Sequence, residues 1–513
     1  MSGAATYVRL IGACIVLARE DALIPRELDP LLPPTARMAA AAIRLAVGGG
    51  SRRGRPGERL ARAFERLGPV TIKLGQILST RADIFGVAFA NDLAKLKDQL
   101  PPFPTAEAKA AVAATLDQPL TALFASFAEP IAAASVAQAH PATLSDGRRV
   151  AVKVLRPGIE RRIARDVAVL QLAARLVERH APAAKRLEPV ALADTAARVL
   201  ELELDLRFEA AGASELAEVM AKDGLMRAPQ VIWAGVGKRA MTTAWADGMA
   251  LSDPAALEQP GIDRHALADN LVQAFLTQAM DHGVFHADLH EGNLFVAPPA
   301  VLTAVDFGII GRLGANERRH LAEILWGFLQ RDYMRVARAH FDIGYVPAHH
   351  SVEAFAQALR AVGEPNVGQP AGSVSMGRIL GLLFEITALF DMRLRPELVL
   401  LQKTMVTVEG VARRLDPGHN LWAAAEPVVA RWVARELSPI ARVRSLAGDA
   451  ERALRVVVRM VEQPDPPAPP PAPEPAPQSR AGALAWFLIG ALAAAAGAVA
   501  WAALGPGVAS LFR

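Results

Sequence analysis

His286-Ala287-Asp288-Leu289-His290-Glu291-Gly292-Asn293, followed by Val305-Asp306-Phe307-Gly308, is the stretch on which the reading of this 513-residue chain turns. It sets two carboxylates and one carboxamide, Asp288, Asn293 and Asp306, in a fixed order within a short span. Transfer of a phosphoryl group from a nucleotide needs such a set. One carboxylate must face the acceptor oxygen, and an amide oxygen and a second carboxylate must hold magnesium against the phosphates. The apolar run Val301–Val305 reads as the strand that delivers Asp306. A loop flanked by short strands can aim all three groups at one point. The same residues admit a second reading, in which His286, Asp288 and His290 ligate a metal at H-x-D-x-H spacing. A lone D-F-G also recurs by chance, but two motifs in this order favour the first reading.

Upstream, Val150-Ala151-Val152-Lys153 places a lysine on an apolar strand, where its charge is costly unless partnered. With it, the order of motifs resembles that of protein kinases: a V-A-I-K strand, a catalytic loop H-R-D-x-x-x-x-N with Ala287 in place of Arg, then D-F-G. In kinases that lysine holds the α- and β-phosphates and pairs with a helix glutamate. Glu209 is the first choice for that partner, with Glu201 and Glu203 as rivals that sequence alone leaves open. The nucleotide-covering loop is expected at Ile131, Ala132, Ala133, Ala134, Ser135, Val136, Ala137, Gln138 and Ala139. Alanine here, where kinases use glycine, restricts the backbone torsions and predicts a stiffer loop with different nucleotide geometry. Taken alone the run reads as a small-residue strand. After Gly308 the chain passes directly to a helical pattern from Asn316, with no A-P-E and no room for a long activation loop. Phosphorylation of a separate protein is therefore disfavoured.

Around this centre the chain divides by texture. Residues 1–115 read as a helical extension, broken at Gly68-Pro69, with a further helix over Ala106–Leu116. Residues 116–250 read as a smaller lobe. In it Ile131–Ala142 and Arg149–Leu155 form a hairpin about Asp146-Gly147, helices follow from Ile159 to Ala211, and two more strands are expected within Pro229–Trp245. Residues 251–460 read as a helical lobe, with a helix over Ala266–His282 and short strands at 284–310. Residues 461–480 carry a proline-rich linker, which extends as a semi-rigid spacer. Residues 481–513 are expected to form a membrane tail. Ala481–Phe512 holds no charged residue, and Leu484–Leu504 is long enough to cross a bilayer at about 1.5 Å per residue. Gly490, Ala494 and Gly497 would let two such helices approach closely, which admits a homodimer.

These residues together resemble the UbiB family of atypical kinase-like proteins, and the resemblance runs over roughly residues 10–440. Lys73-Leu74-Gly75-Gln76 with Ser79 looks like the family's K-x-G-Q motif, and Asp98, Pro101 and Pro102 like the segment after it. Ala132–Ser135 looks like its alanine-rich loop, and Glu203-Leu204-Asp205 with Glu209-Ala210 like its E-x-D segment. Arg395–Lys403 is similar to a further stretch of the family. The resemblance implies an α+β, bilobal, kinase-like fold in which the K-x-G-Q helix covers the nucleotide pocket. Lys73 would pair with Glu203 or Asp205, and Gln76 shares its helix face. It implies ATP or ADP and Mg2+ as cofactors, with Asp288 catalytic, Asn293 and Asp306 on the metal, and Lys153 on the nucleotide. Ubiquinone biosynthesis is the implied setting, with polyprenylphenol precursors, membrane lipids and other ubiquinone biosynthetic proteins as partners. The implied place is the inner (cytoplasmic) membrane, with the catalytic part in the cytoplasm and one C-terminal span where the family often has two.

Two alternatives accompany this expectation. One is a nucleotide-binding pseudokinase scaffold that organises the biosynthetic enzymes; the intact Lys153, Asp288, Asn293 and Asp306 argue against it. The other is the label 2-polyprenylphenol 6-hydroxylase that the family has carried; no G-x-G-x-x-G follows a strand to suit a flavin, and no iron-ligand set stands out. The net charge of +4 is too small to argue for nucleic acid. The single cysteine, Cys14, excludes an internal disulfide and suits a reducing compartment; it reads as a small buried hydrophobe on an amphipathic helix.

Overall fold

The computed structural model describes residues 3–31, 34–48, 53–79, 87–96, 101–180, 188–364, 386, 389–392 and 396–436. Among the described residues the first α-helices are α1 (Gly3–Arg19), α2 (Pro34–Ala46), α3 (Pro56–Leu67), α4 (Pro69–Ser79) and α5 (Val87–Ala94). Gly68 turns the chain between α3 and α4 at φ +110°, and Pro69 opens α4 where its missing N–H costs no helical bond. Gly75 sits where a Cβ would lie 2.2 Å from Leu96 Cδ1 and 2.8 Å from Phe64 Cδ2. The glycine of the K-x-G-Q run is thus the price of close packing among α3, α4 and the chain after α5. Cys14 is half-buried on α1, and burial pushes its thiol up to about 11, so it is a packing group.

The smaller lobe consists of α6 (Thr105–Leu116), β1 (Phe124–Phe127), β2 (Ala132–Ala133), β3 (Ala137–Leu144), β4 (Arg149–Leu155), α7 (Ile159–His180), α8 (Pro189–Glu203), α9 (Leu206–Asp223) and β5 (Ala240–Ala244). Its antiparallel sheet has the order β1-β3-β4-β5, with β2 added to β3. Asp146-Gly147 forms the β3–β4 turn: Gly147 lies at φ +88°, and the Asp146 carboxylate accepts from Arg148 N–H at 3.0 Å. Alternation along β4 sorts its side chains. Val150, Val152 and Val154 are fully buried in a core shared with Ala108 and Val112 of α6, so Lys153 points to the other face.

Within Pro229–Trp245 the structure has one strand, β5, rather than two. The first half bends into a 3₁₀ turn at Trp233–Gly235 and meets β5 through isolated bridges, Val231 to Thr243 and Gly237 to Ala240, in place of a continuous ladder. Gly235 and Gly237 allow this: a Cβ on either would collide with Thr242 or Thr115. Two glycines spaced for close packing outweigh the apolar texture that suggested a strand.

The larger lobe continues through β6 (Met249–Ala250), α10 (Arg264–Thr277), β7 (Val284–His286), β8 (Leu294–Ala297), β9 (Val301–Ala304) and β10 (Ile310–Arg312), then α11 (Ala315–Leu329), α12 (Tyr333–Asp342), α13 (Val352–Gly363), α14 (Pro396–Leu415) and α15 (Leu421–Glu436). α10 is its central helix, with Leu267, Leu271 and Phe275 buried in the main core, and it packs on α14 and α15. It ends in a π-helical turn, Gln278–His282, closed by Gly283 at φ +69°. Two small sheets, β6-β8-β9 and β7-β10, carry the loops of interest. The proline-rich linker, the expected tail 481–513 and Asp98 lie outside the described residues. Among the described residues no helix is long and apolar enough to cross a membrane.

Candidate active site

Three elements distant in sequence meet at one lysine. Lys153 on β4 donates to Glu209 Oε1 at 2.6 Å and to Asp306 Oδ1 at 3.0 Å. Glu209 owes its place to the helix break before it. α8 ends at Glu203, and Asp205 then caps α9 by accepting from Arg207 N–H at 3.2 Å, which sets Glu209 in the first turn of a new helix. Asp306 sits at φ +62°, a region that residues other than glycine seldom occupy, directly after β9. That backbone is strained, and the Lys153 contact and Gly308 N–H, 3.3 Å from Asp306 Oδ1, hold it in place. The Lys153 ammonium keeps the Asp306 carboxyl down at about 2. Burial pushes Glu209 up to about 7 against the pull of Lys153, and the negative charges of Asp306 and Glu203 add to the rise. Burial alone would lower Lys153, but the two carboxylates together raise it above the ordinary lysine value.

The loop from His286 to Asn293 is built around the histidine. His286 is fully buried at the end of β7, which pairs with β10. Its Nε2 faces the Val305 carbonyl at 3.1 Å, and its Nδ1 accepts from Asp288 N–H at 3.1 Å. These partners assign a neutral ring with the proton on Nε2, in keeping with a pKa lowered by burial. His286 therefore ties the Asp288 segment to the residue before Asp306. Asn293 closes the loop from the other side: its Nδ2 donates to the Asp288 carbonyl at 3.0 Å, and its own carbonyl accepts from Val305 N–H at 2.9 Å. Asp288 itself is about a third exposed, with His290 Nε2 3.7 Å from Oδ2 and Lys403 Nζ 3.9 Å from Oδ1.

This bonding overturns the H-x-D-x-H metal reading. Both His286 nitrogens are used within the loop, and His290 Nδ1 accepts from Gly292 N–H at 3.0 Å. The donor set that remains is hard oxygen: the Asp306 carboxylate and the Asn293 carboxamide oxygen, since the amide nitrogen is committed. Oxygen donors of this kind suit Mg2+ with nucleotide phosphates. Among the described residues the one His/Asp grouping with metal-ligand spacing is His349, His350 and Asp391, which adjoins the separate small core around Phe355 and Phe390.

The alanine-rich stretch forms a tight hairpin, with Ala132 opposite Ala139 and Ala133 opposite Gln138. Ala139 in turn faces Lys153 across β3–β4, so the hairpin lies one strand from the lysine. Ile131 is exposed, and Ala134 offers its carbonyl to Arg156 Nε at 2.9 Å. Ser135 and Ala137 are buried and Val136 is half-buried. The Gln138 side chain is spent on structure: it bonds both backbone groups of Phe103 and lies 2.8 Å from the His140 ring. On α4, Lys73 pairs with Glu203, whereas Asp205 is engaged by Arg207 instead. Gln76 is half-buried one turn further along α4.

Sequence reasoning assigned no role to α14, yet that helix lies along the loop. Thr404, almost fully buried, has its Oγ1 3.1 Å from the Ala287 carbonyl, and Arg414 pairs with Glu291. The available signal was three polar residues in a row, Gln402-Lys403-Thr404, inside an otherwise apolar helical pattern.

Residues 95–340 match the model of the ABC1 atypical kinase-like domain, and residues 359–420 match that of the UbiB helical domain. The curated "Probable protein kinase UbiB" of Marinobacter nauticus is 40% identical over 396 residues, covering 76% of this chain and 72% of that protein. The chain belongs to the UbiB family. Its Aliivibrio fischeri relative of the same designation is 41% identical over 415 residues, 80% of this chain and 76% of that protein. Among solved structures, "The complex structure of Rv3197-erythromycin from Mycobacterium tuberculosis" aligns with 77% of this chain and 98% of that chain, at TM-score 0.49 and 20% identity. The α+β kinase-like fold is thus that of the UbiB family's ABC1 domain, and α14 falls within the UbiB helical domain.

Proposed function

We propose that this UbiB-family protein is a membrane-anchored, magnesium-dependent ATPase or small-molecule phosphotransferase that supports ubiquinone biosynthesis, acting on polyprenylphenol precursors or their release from the bilayer. The observation that carries the reading is the meeting of Lys153, Glu209 and Asp306 beside a loop whose Asp288 stays accessible. A scaffold that only bound nucleotide would have no use for an exposed carboxylate at that position. Lys153 would hold the α- and β-phosphates, and Asn293 and Asp306 would hold Mg2+. Bound magnesium supplies charge neutralisation at the phosphates. Asp288 orients the attacking oxygen and accepts its proton. The hairpin Ile131–Ala139 would cover the nucleotide with backbone groups.

The chain from Gly308 to Ala315 supports a small acceptor over a protein one. β10 begins at Ile310 and α11 at Ala315, so no platform for a polypeptide intervenes. In this reading the apolar tail sets the catalytic part at the cytoplasmic face of the inner membrane, among lipids, precursors and other ubiquinone biosynthetic proteins.

The test is magnesium-dependent ATP hydrolysis by the full-length protein in detergent and in anionic liposomes, with and without a phenolic quinone precursor, beside Asp288→Asn. Turnover stimulated by lipid or phenol and lost in the variant is expected. Nucleotide binding without turnover under every condition would select the scaffold, and absence of nucleotide binding would overturn the kinase-like reading.

A further inference from the structure

Beside Asp288 in the catalytic loop stands a cation that the kinase-like motifs do not account for. Lys403 reaches the loop from α14, in the helical domain, and its ammonium lies 3.9 Å from Asp288 Oδ1. That is too long for a hydrogen bond, so the lysine stands beside the carboxylate without being spent on it. Its register is fixed from both sides. Thr404, the next residue, is buried with its Oγ1 2.8 Å from the Leu400 carbonyl of its own helix and 3.1 Å from the Ala287 carbonyl, and Arg414, three helical turns along the same face, pairs with Glu291. α14 therefore presents Lys403 to Asp288 as a built feature and not as a loose surface chain.

The need for it follows from charge. Lys153 is committed at the far end, to Glu209 and Asp306. At the acceptor end a carboxylate must sit close to a transferring phosphoryl group, and the two repel. His290 cannot relieve this with a fixed charge. Its Nδ1 is taken up in accepting from Gly292 N–H. Among the described residues, Lys403 is the permanent cation that adjoins Asp288. In other phosphoryl-transfer enzymes a cation supplied to the same point stabilises the transition state strongly.

We infer that Lys403 is a catalytic residue: its ammonium contacts the γ-phosphoryl oxygens of bound ATP and stabilises the charge on them during transfer. The inference rests on the phosphotransferase reading above. In the step, the bond between the γ-phosphorus and the β,γ-bridging oxygen breaks, and its electron pair leaves with ADP. A bond forms from the acceptor oxygen, of water or of a phenolic hydroxyl, to phosphorus, and the acceptor's proton passes to Asp288. Lys403 keeps all its protons and turns from Asp288 toward the phosphoryl oxygens.

The experiment compares dissociation constants for Mg2+ with AMP-PNP and with ADP, on the full-length protein in detergent. The variants are Lys403→Met, which keeps the stem, and Lys403→Arg, which keeps the charge, each checked by thermal unfolding. Lys403→Met is expected to weaken AMP-PNP about tenfold and ADP less than twofold, with the unfolding temperature held and Lys403→Arg recovering most of the loss. Turnover in Lys403→Met should fall about 100-fold, the scale of losing one transition-state contact. Equal weakening of both nucleotides, or of neither, would overturn the inference while leaving the phosphotransferase reading in place. A wild-type protein that binds neither nucleotide would overturn that reading, and this inference with it.

Discussion

Lys153 and Lys403 bring positive charge to two different carboxylates of the site, Asp306 and Asp288, and they do so under different conditions. Lys153 stands between two carboxylates at hydrogen-bond distance, one of them on a strained backbone. Lys403 stands 3.9 Å from a carboxylate that is about a third exposed. The first arrangement is a hydrogen-bonded cluster in which removal of Lys153 leaves the largely buried Glu209 without its partner, so it ties function to stability. The second can lose a member at little cost to the fold, because water reaches what remains. At one end, the closed end, the charges are tied together by hydrogen bonds, and at the other, the open end, they stand apart.

The largest expected effect lies at the open end and falls on turnover alone. Asp288→Asn should lower kcat for ATP hydrolysis by about 10²–10⁴-fold, the usual range for loss of a positioned base. Nucleotide affinity should stay within about twofold and the unfolding midpoint nearly unchanged. A marked loss of stability in Asp288→Asn would mean that the open end is a structural cluster too, and the contrast would fail. At the closed end the expectation reverses. Lys153→Met should weaken nucleotide binding and also destabilise the fold by about 1–3 kcal/mol, chiefly by leaving Glu209 unpaired, read from the urea midpoint at constant slope. Lys153→Met combined with Glu209→Met should cost less than the sum of the single variants, since the second removes a charge that the first left unpaired. Strict additivity would sink the cluster.

Glu209 sharpens the comparison through pH. Its carboxyl is pushed up to about 7 by burial, from an ordinary value of 4.5. Between those values the folded protein holds a proton that the unfolded chain has released, so raising the pH through this window removes stability. Asp306 works in the opposite sense. It is held at about 2 by Lys153, below its ordinary 3.8, and its contribution is present above pH 4 and lost as the pH falls toward 2. Glu209→Gln should therefore lose the decline between about pH 4.5 and 7, a difference on the order of 1 kcal/mol from wild type across the window. Parallel stability profiles for the two proteins would place the shared proton elsewhere.

Much of this was legible in the sequence where one residue's position fixes its neighbours. The β4 alternation placed Lys153 opposite three valines, and the spacing from His286 to Asn293 required a closed loop. The Lys153 partner was harder, because Glu201, Glu203 and Glu209 lie close together and the choice depends on where α8 ends. The break at Leu204-Asp205 puts Glu209 on a helix of its own, and Asp205 as the cap is what makes the break. The second strand expected within Pro229–Trp245 failed on Gly235 and Gly237, whose contacts are tertiary. Lys403 stood at the end of a stretch that resembles the family, Arg395–Lys403, but its place beside Asp288 was not legible. Its neighbour Thr404 meets Ala287 across 117 residues of chain, and no local pattern encodes a contact of that separation.

The smallest expected effect joins the closed end to the helical extension. Lys73 on α4 pairs with Glu203, both less than a fifth exposed, and Glu203 is near enough to Glu209 to help raise its pKa. Lys73→Met should cost about 1 kcal/mol, because a single pair is lost and Glu203, about a fifth exposed, can still draw on water. Its sharper signature is electrostatic. With Lys73 gone, the uncompensated Glu203 charge should move the Glu209 window to higher pH. Glu203→Gln should move it to lower pH, since one repelling charge is removed. Opposite shifts from two variants of one ion pair, read in the pH dependence of stability, are hard to produce by general loosening of α4. If both variants shift the window the same way, Lys73 and Glu203 act on Glu209 through packing, and the extension is coupled to the cleft mechanically instead of by charge.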